Sequence, residues 1–239
     1  MTEEYTLAAH EELRFQLLAA VKALKSRLNG YDKFTLGLDG TRRARVRKDA
    51  QQVPQSTAEE LQKIKETMAE CLLCRLGKTR RNLVFGDGNP QARIVFVGEA
   101  PGADEDEQGL PFVGRAGQLL TKIIEAMGMK RGEVYICNIL KCRPPQNRNP
   151  LPEEIAACEP FLKRQLKSIS PQIICALGTF AAKTLLRTEV PISVLRGRFH
   201  LYEGIKLMPT YHPAYLLRNP SAKKLVWEDV QLIMKELQN

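Results

Sequence analysis

The chain is expected to fold as an α/β domain, with a mainly parallel sheet covered by helices on both faces. Three observations point there. Apolar runs rich in β-branched and aromatic residues alternate along the chain with amphipathic helical segments, the order that builds parallel sheets. The leading run, Ile94-Val95-Phe96-Val97, is apolar on both faces, as a strand buried between two helical layers must be. Glycine- and proline-rich loops follow the strand candidates, at the strand ends where open α/β sheets bind ligands.

Taken in order, residues 3–28 carry Leu13, Leu17, Ala20, Val21, Leu24 and Leu28 at helical spacing, which predicts one long amphipathic helix. Arg42, Arg43, Arg45, Arg47 and Lys48 follow in a Gly- and Thr-containing stretch that reads as a flexible basic linker. Residues 1–56 are therefore expected to form an N-terminal helical extension and 57–239 a globular domain. Ser56 or Thr57 caps a helix from about Ala58 to Ala69, with Glu59 and Glu60 in its first turn, where the helix dipole favours carboxylates. Strands are expected at Ala92–Val97, Glu133–Leu140, Gln172–Leu177 and His200–Met208. Helices are expected at Gly117–Met127, Pro152–Lys167, Thr179–Leu186 and Ala222–Leu237.

The formal charge of +9 over 239 residues favours a polyanionic partner. No apolar run reaches the roughly 20 residues that span a bilayer, and the acidic, amphipathic start is unlike a signal peptide. A cytoplasmic protein is expected. In a reducing compartment the six cysteines read as metal ligands, catalytic groups or buried thiols rather than disulfides. Cys137 and Cys175 sit among apolar strand residues and are assigned to the core. Cys71, Cys74, Cys142 and Cys158 fall in loops or a helix, where their side chains can converge. An all-sulfur set suits zinc or an iron–sulfur cluster, and spacing does not choose between them.

A polar constellation is expected at the carboxyl ends of the strands. Gly98-Glu99-Ala100-Pro101-Gly102 makes a rigid loop after the first strand. The acidic run Asp104 to Glu107 comes next, and then a second rigid loop, Gly109-Leu110-Pro111-Phe112-Val113-Gly114. Asn138 ends the second strand's apolar run, and Asn147-Arg148-Asn149-Pro150 forms a polar loop beyond it. Of three histidines, His10 lies on the first helix and His200 opens a strand. His212, before Pro213, is the one at a strand's carboxyl end.

The segments GEAPG, GLPFVGRAG, CNILKCRPPQNRNP and HPAYLLRNP, with four cysteines in step, resemble the iron–sulfur uracil-DNA glycosylases, the thermostable-type family numbered four. The likeness covers about Leu61 to Leu237. It implies a central four-stranded parallel sheet in a three-layer α/β/α domain. It also implies a [4Fe–4S] cluster on Cys71, Cys74, Cys142 and Cys158, and hydrolysis of the uracil N-glycosidic bond in single- or double-stranded DNA.

Such an enzyme must extrude the base into a pocket. Phe112 is expected to stack on it, and Asn138 to accept from N3–H while donating to O4, a pairing wrong for cytosine. Glu99, by resemblance, lies beside the edge that would clash with thymine's methyl. Backbone N–H groups from Gly98 through Glu99, Ala100 and Gly102, with a neutral His212 donating toward O2, would stabilise the departing base as an oxyanion hole does. The best-known uracil glycosylases carry an aspartate where this chain has Ala100, so water activation is expected from Glu105, with Asp104 and Asp106 as nearby substitutes, unless the acidic run merely solvates the loop. Leu216, Leu217 and Arg218 are expected to wedge into the minor groove. The cluster would present Arg75, Lys78, Arg80, Arg143 and Arg148 to phosphate. A related branch bonds covalently to the opened site through a histidine in a basic loop. No histidine stands between Lys141 and Pro150, so turnover and release are expected.

The protein is expected to be a monomer, and its N-terminal helix reads either as a docking element for a protein partner or as a disordered or self-packing extension. The competing reading is a metal- or cluster-stabilised nucleic-acid-binding module without catalysis, which leaves Phe112, Asn138 and His212 unexplained.

Overall fold

The computed structural model describes residues 57–238. The expected N-terminal helix and basic linker lie outside the described residues. Among those described, no helix is long and apolar enough to cross a membrane.

The chain begins with α1 (Thr57–Met68) and reaches β1 (Asp87–Gly88), then β2 (Ile94–Gly98). Two helices follow, α2 (Ala103–Gln108) and α3 (Arg115–Ala126), before β3 (Tyr135–Asn138). Next come α4 (Pro152–Ile169), β4 (Ile173–Leu177), α5 (Thr179–Leu186) and α6 (Ile192–Leu195). The chain finishes with β5 (His200–Tyr202), β6 (Ile205–Thr210), α7 (Pro213–Arg218) and α8 (Lys223–Gln238).

The sheet has six strands in the order β1-β3-β2-β4-β6-β5. Its four central strands pair in parallel, as expected, while β1 and β5 add short antiparallel edges. Alternate residues of the central strands serve two cores, because successive side chains of a strand point to opposite faces. Val95, Val97, Cys137, Ile174 and Ala176 pack on the side of α1, α4 and α5. Ile94, Phe96, Ile136, Ile173 and Cys175 pack on the side of α3 and α8. The three-layer expectation therefore holds, with Cys137 and Cys175 buried as assigned.

Two segments depart from the sequence reading. The expected strand His200–Met208 is a hairpin, β5 and β6, turning at Glu203 and Gly204 with φ of 48° and 83°. Positive φ at both central residues is the geometry of the tight hairpin turn whose twist matches its strands. The acidic run expected as loop is helix α2. Glu105 closes a capping box at its N-terminus, its carboxylates lie at the positive end of the dipole, and Gly109 ends it in left-handed geometry.

Buried ion pairs anchor the strand ends. Asp229 on α8 is fully buried and accepts from Thr210 Oγ1 at the end of β6 (2.5 Å), and from Arg196 Nε and Nη2 (3.0 and 2.7 Å). Gly117 on α3 lies so close to the Phe112 carbonyl that a Cβ there would overlap it. Gly117→Ala should therefore destabilise the protein by about 1–3 kcal/mol, the usual cost of overpacking. The midpoint of urea denaturation measures this, and an unchanged midpoint would show that the Phe112 segment gives way freely.

Candidate active site

The carboxyl ends of β2, β3, β4 and β6 open into a cleft of about 870 Å³ lined by Glu99, Glu105, Phe112, Asn138, Tyr211 and His212, among others. It lies where the connections from the sheet part to opposite sides, the usual ligand position in such sheets. Pairing between β2 and β3 runs on past the strands, through Ile139 N to Gly98 O (2.9 Å) and Leu140 N to Glu99 O (3.0 Å). That ladder sets Asn138 beside Gly98 at the floor. A Cβ on Gly98 would collide with both Asn138 Oδ1 and the Phe112 ring, so the missing side chain is what lets the two meet. Asn138 is buried, and its Oδ1 has no hydrogen-bond partner. An orphaned buried acceptor is costly, and this one faces a cleft.

Phe112 sits at φ 53°, a strained region for a bulky residue. Its surroundings hold it there. Glu105 Oε1 accepts from Val113 N (2.9 Å) and Gly114 N (3.0 Å), while Oε2 accepts from Gly102 N (3.0 Å). Arg131 Nη2 donates to Pro111 O (2.5 Å). The Phe112 ring lies 5.5 Å from that of His212, inclined by 32°.

His212 caps α7, its Nδ1 accepting from Ala214 N (3.1 Å). A neutral ring with Nδ1 as acceptor carries its proton on Nε2. Burial pushes the imidazole down to about 4, with Glu105 pulling up and Arg218 adding to the depression. His212 is thus a neutral donor at physiological pH. Glu99 is half-buried, and desolvation pushes its carboxyl up to about 7.

Other expected residues are disposed differently. Gly102 N–H is taken by Glu105 and Pro101 has none, so neither offers the cleft the donor expected of that turn. Leu216 is buried in the core, so of the expected wedge only Leu217 and Arg218 are exposed. Arg148 forms a bidentate pair with the buried Glu154 (2.9 and 2.5 Å), and Arg143 Nε donates to Asn147 Oδ1 (2.8 Å). Arg80 turns inward, away from the phosphate-facing role expected of it. It donates to Cys142 Sγ (3.2 Å), Cys71 O (3.2 Å) and Ala69 O (2.8 Å). The sequence reading missed the wall made by Thr179, Phe180 and Ser193. Gly178-Thr179, directly after β4, was the signal that could have found it. It also passed over Tyr211, which stacks on Tyr215 (5.0 Å) beneath the Arg196 guanidinium (5.8 Å).

The four cysteines expected to converge follow α1 (Cys71, Cys74), follow β3 (Cys142) or lie on α4 (Cys158). Gly77 lets the first turn close, its N–H reaching Cys74 O (3.2 Å) with no room for a Cβ against Cys71 O. Burial pushes the Cys142 thiol up against the pull of Arg80, and Cys74 and Cys71 add to the rise. Burial likewise pushes Cys158 up to about 11, with Lys141 opposing and Cys142 and Cys74 adding. Each of the four therefore lies in the electrostatic field of another. Among the described residues no three His, Cys, Asp or Glu side chains form a group that would hold a single metal ion. The donor set is all thiol, the chemistry an iron–sulfur cluster takes, and a cluster is a larger body than one ion.

Comparison with known proteins gives consistent relatives. Residues 85–231 match the family model described as the uracil DNA glycosylase superfamily. The chain is similar to a type-4 uracil-DNA glycosylase of Thermotoga maritima, 48% identical over 73% of this chain and 94% of that protein. A type-4 uracil-DNA glycosylase of Saccharolobus solfataricus is 44% identical over 73% and 85%. A type-5 uracil-DNA glycosylase of Pyrobaculum aerophilum is more distant, 28% identical over 62% and 72%.

The two shifted groups act on stability in opposite pH ranges. Glu99, raised from 4.5 to about 7, contributes stability below pH 4.5 that is lost as pH rises through about 7. His212, lowered from 6.5 to about 4, contributes stability above pH 6.5 that is lost as pH falls through about 4. Glu99→Gln cannot ionise, so its denaturation midpoint should gain on that of the wild type as pH rises from 4.5 to about 7. A constant offset between the two curves would show that the Glu99 carboxyl is not desolvated.

Proposed function

Because this chain belongs to the uracil-DNA glycosylase superfamily, and within it to the type-4 enzymes, we propose that its cleft receives a uracil extruded from DNA. The enzyme hydrolyses the N-glycosidic bond of uracil in DNA, the step that opens base excision repair. The unpartnered, buried Oδ1 of Asn138 carries the assignment of the pocket. Uracil offers N3–H to that acceptor and O4 to the amide nitrogen. Cytosine presents an acceptor at N3 and a donor at C4, so it would leave both Asn138 groups mismatched.

Phe112 stacks on the base, fixed by the Glu105 hydrogen bonds that flank it. Glu99 closes the edge where thymine carries its methyl. As the bond breaks, charge gathers on the leaving uracil. His212 meets it at O2 through Nε2–H, a role supported by the Nδ1 bond to Ala214. Ala100 N–H adds a second donor. Preorganised donors of this kind stabilise charge where it develops, with no reorganisation at the moment of reaction.

Glu105 is the candidate for orienting the attacking water. A carboxylate has about four lone-pair positions, and three backbone N–H groups occupy its two oxygens, so one acceptor position remains. Its negative charge also faces the cationic sugar of the transition state. Leu217 and Arg218, exposed on α7 at the cleft, are the groups to enter the minor groove, and Arg143 the group to meet phosphate. Cys71, Cys74, Cys142 and Cys158 would hold a [4Fe–4S] cluster, whose binding contributes to folding rather than to any redox step.

Incubation with uracil-containing DNA should generate alkali-labile sites at uracil and none at thymine or cytosine. Absence of such sites would leave only the non-catalytic binding reading. His212→Ala should lower single-turnover cleavage roughly a hundredfold, the scale of one lost oxyanion-hole donor. Near-normal turnover in that variant would remove His212 from the mechanism. Glu105→Gln should also slow cleavage, and full activity across the pH range would leave Glu105 a purely architectural role.

A further inference from the structure

Lys141 is fully buried, which is rare for an ammonium group without a counter-charge. Among the described residues no carboxylate pairs with it. The ammonium has one hydrogen bond among the described residues, from Nζ to the backbone carbonyl of Asn138 (2.8 Å). The residue stands in sequence between Asn138, at the floor of the cleft, and Cys142, one of the four thiols assigned to the cluster. Lys141 acts electrostatically on both Cys158 and Cys137, and Cys142 and Cys158 pack in the same core cluster as Cys137. An unpaired buried cation costs several kcal/mol in real proteins, and an anionic body beside it would offset that cost. A cluster held by four thiolates is such a body.

We propose that Lys141 is a positioning residue that couples the two sites, its buried ammonium serving as counter-charge to the thiolate-held cluster while its hydrogen bond to Asn138 O fixes the residue that reads uracil. This inference rests on the assignment of the cluster to Cys71, Cys74, Cys142 and Cys158 and of uracil to the cleft. With the cluster in place, Lys141 is neutralised on one side and directed at Asn138 on the other. With the cluster lost, the ammonium has only the Asn138 carbonyl. Asn138 then shifts with it, and the pocket loses discrimination rather than merely stability.

The test uses the full chain, purified without oxygen, as wild type, Lys141→Met and Lys141→Arg. Iron and sulfide per chain, the rate of cluster loss to an iron chelator, and far-UV circular dichroism are measured for each. Affinity is measured for DNA carrying a 2′-fluorinated deoxyuridine, which resists cleavage, and for the same DNA carrying cytosine. Lys141→Met should lose its cluster faster than wild type, and its preference for uracil over cytosine should fall roughly tenfold to a hundredfold, the scale of one charged hydrogen bond. Lys141→Arg, which keeps the charge, should recover cluster retention.

Wild type partly stripped of iron, with its circular dichroism intact, should lose discrimination in proportion to the iron removed. If neither variant folds, this arm decides. Discrimination that survives stripping, or a Lys141→Met protein that keeps both cluster and preference, overturns the proposal. Wild type that carries no iron would instead refute the cluster itself, and wild type that releases no uracil would refute the enzymatic reading.

Discussion

Glu105 joins the two loops that make the cleft. Its carboxylate accepts from Gly102 N on one side and from Val113 N and Gly114 N on the other. It also caps the short helix that separates them. Phe112 lies in a backbone conformation a bulky residue does not choose by itself. It stays there because its neighbours' amides are bound to that carboxylate and Arg131 holds the Pro111 carbonyl. The glycines on either side remove what would otherwise stand in the way. Gly98 clears Asn138 and Phe112, Gly117 clears the Phe112 carbonyl, and Gly178 leaves little space against His212.

The same economy of polar groups governs the strand ends. Thr210, Arg196 and Asp229 form one hydrogen-bonded group just before Tyr211 and His212, so the histidine projects from a strand end with little freedom to drift. On the far side of the cleft Glu154 is buried against Arg148 and caps α4 through Leu151 N (2.9 Å). Basic residues that composition alone offers to phosphate are in this way divided. Some are structural partners of buried carboxylates or of cysteine sulfur, as with Arg80. Others, such as Arg218, face the cleft mouth.

Burial acts on the two titratable groups of the pocket in the same chemical sense, since it favours the neutral form of each. It raises Glu99 and lowers His212, as desolvation does for an acid and a base. A neutral imidazole with a defined tautomer is a hydrogen-bond donor to a developing anion rather than a proton source. On the proposed reading a departing uracil would be met by fixed dipoles, which need no reorganisation at the moment of reaction.

The parallel core, the helix order and the strand ends that form the cleft were legible in the sequence. Two-sided apolar runs and amphipathic spacing are local patterns, and burial on both faces requires them. Asn138 and His212 were legible for the same reason, as polar residues just where apolar strands stop. Other features depended on residues distant in the chain. The hairpin at Glu203-Gly204 and helix α2 turn on a two-residue conformation and a capping carboxylate, which compete closely with strand and loop until packing chooses. Leu216 was read as exposed, yet α7 turns it into the core. The inward turn of Arg80, the pairing of Arg148 and the burial of Lys141 were decided only by tertiary structure. A charge finds its partner through space, and sequence spacing holds no record of which buried group most needs it.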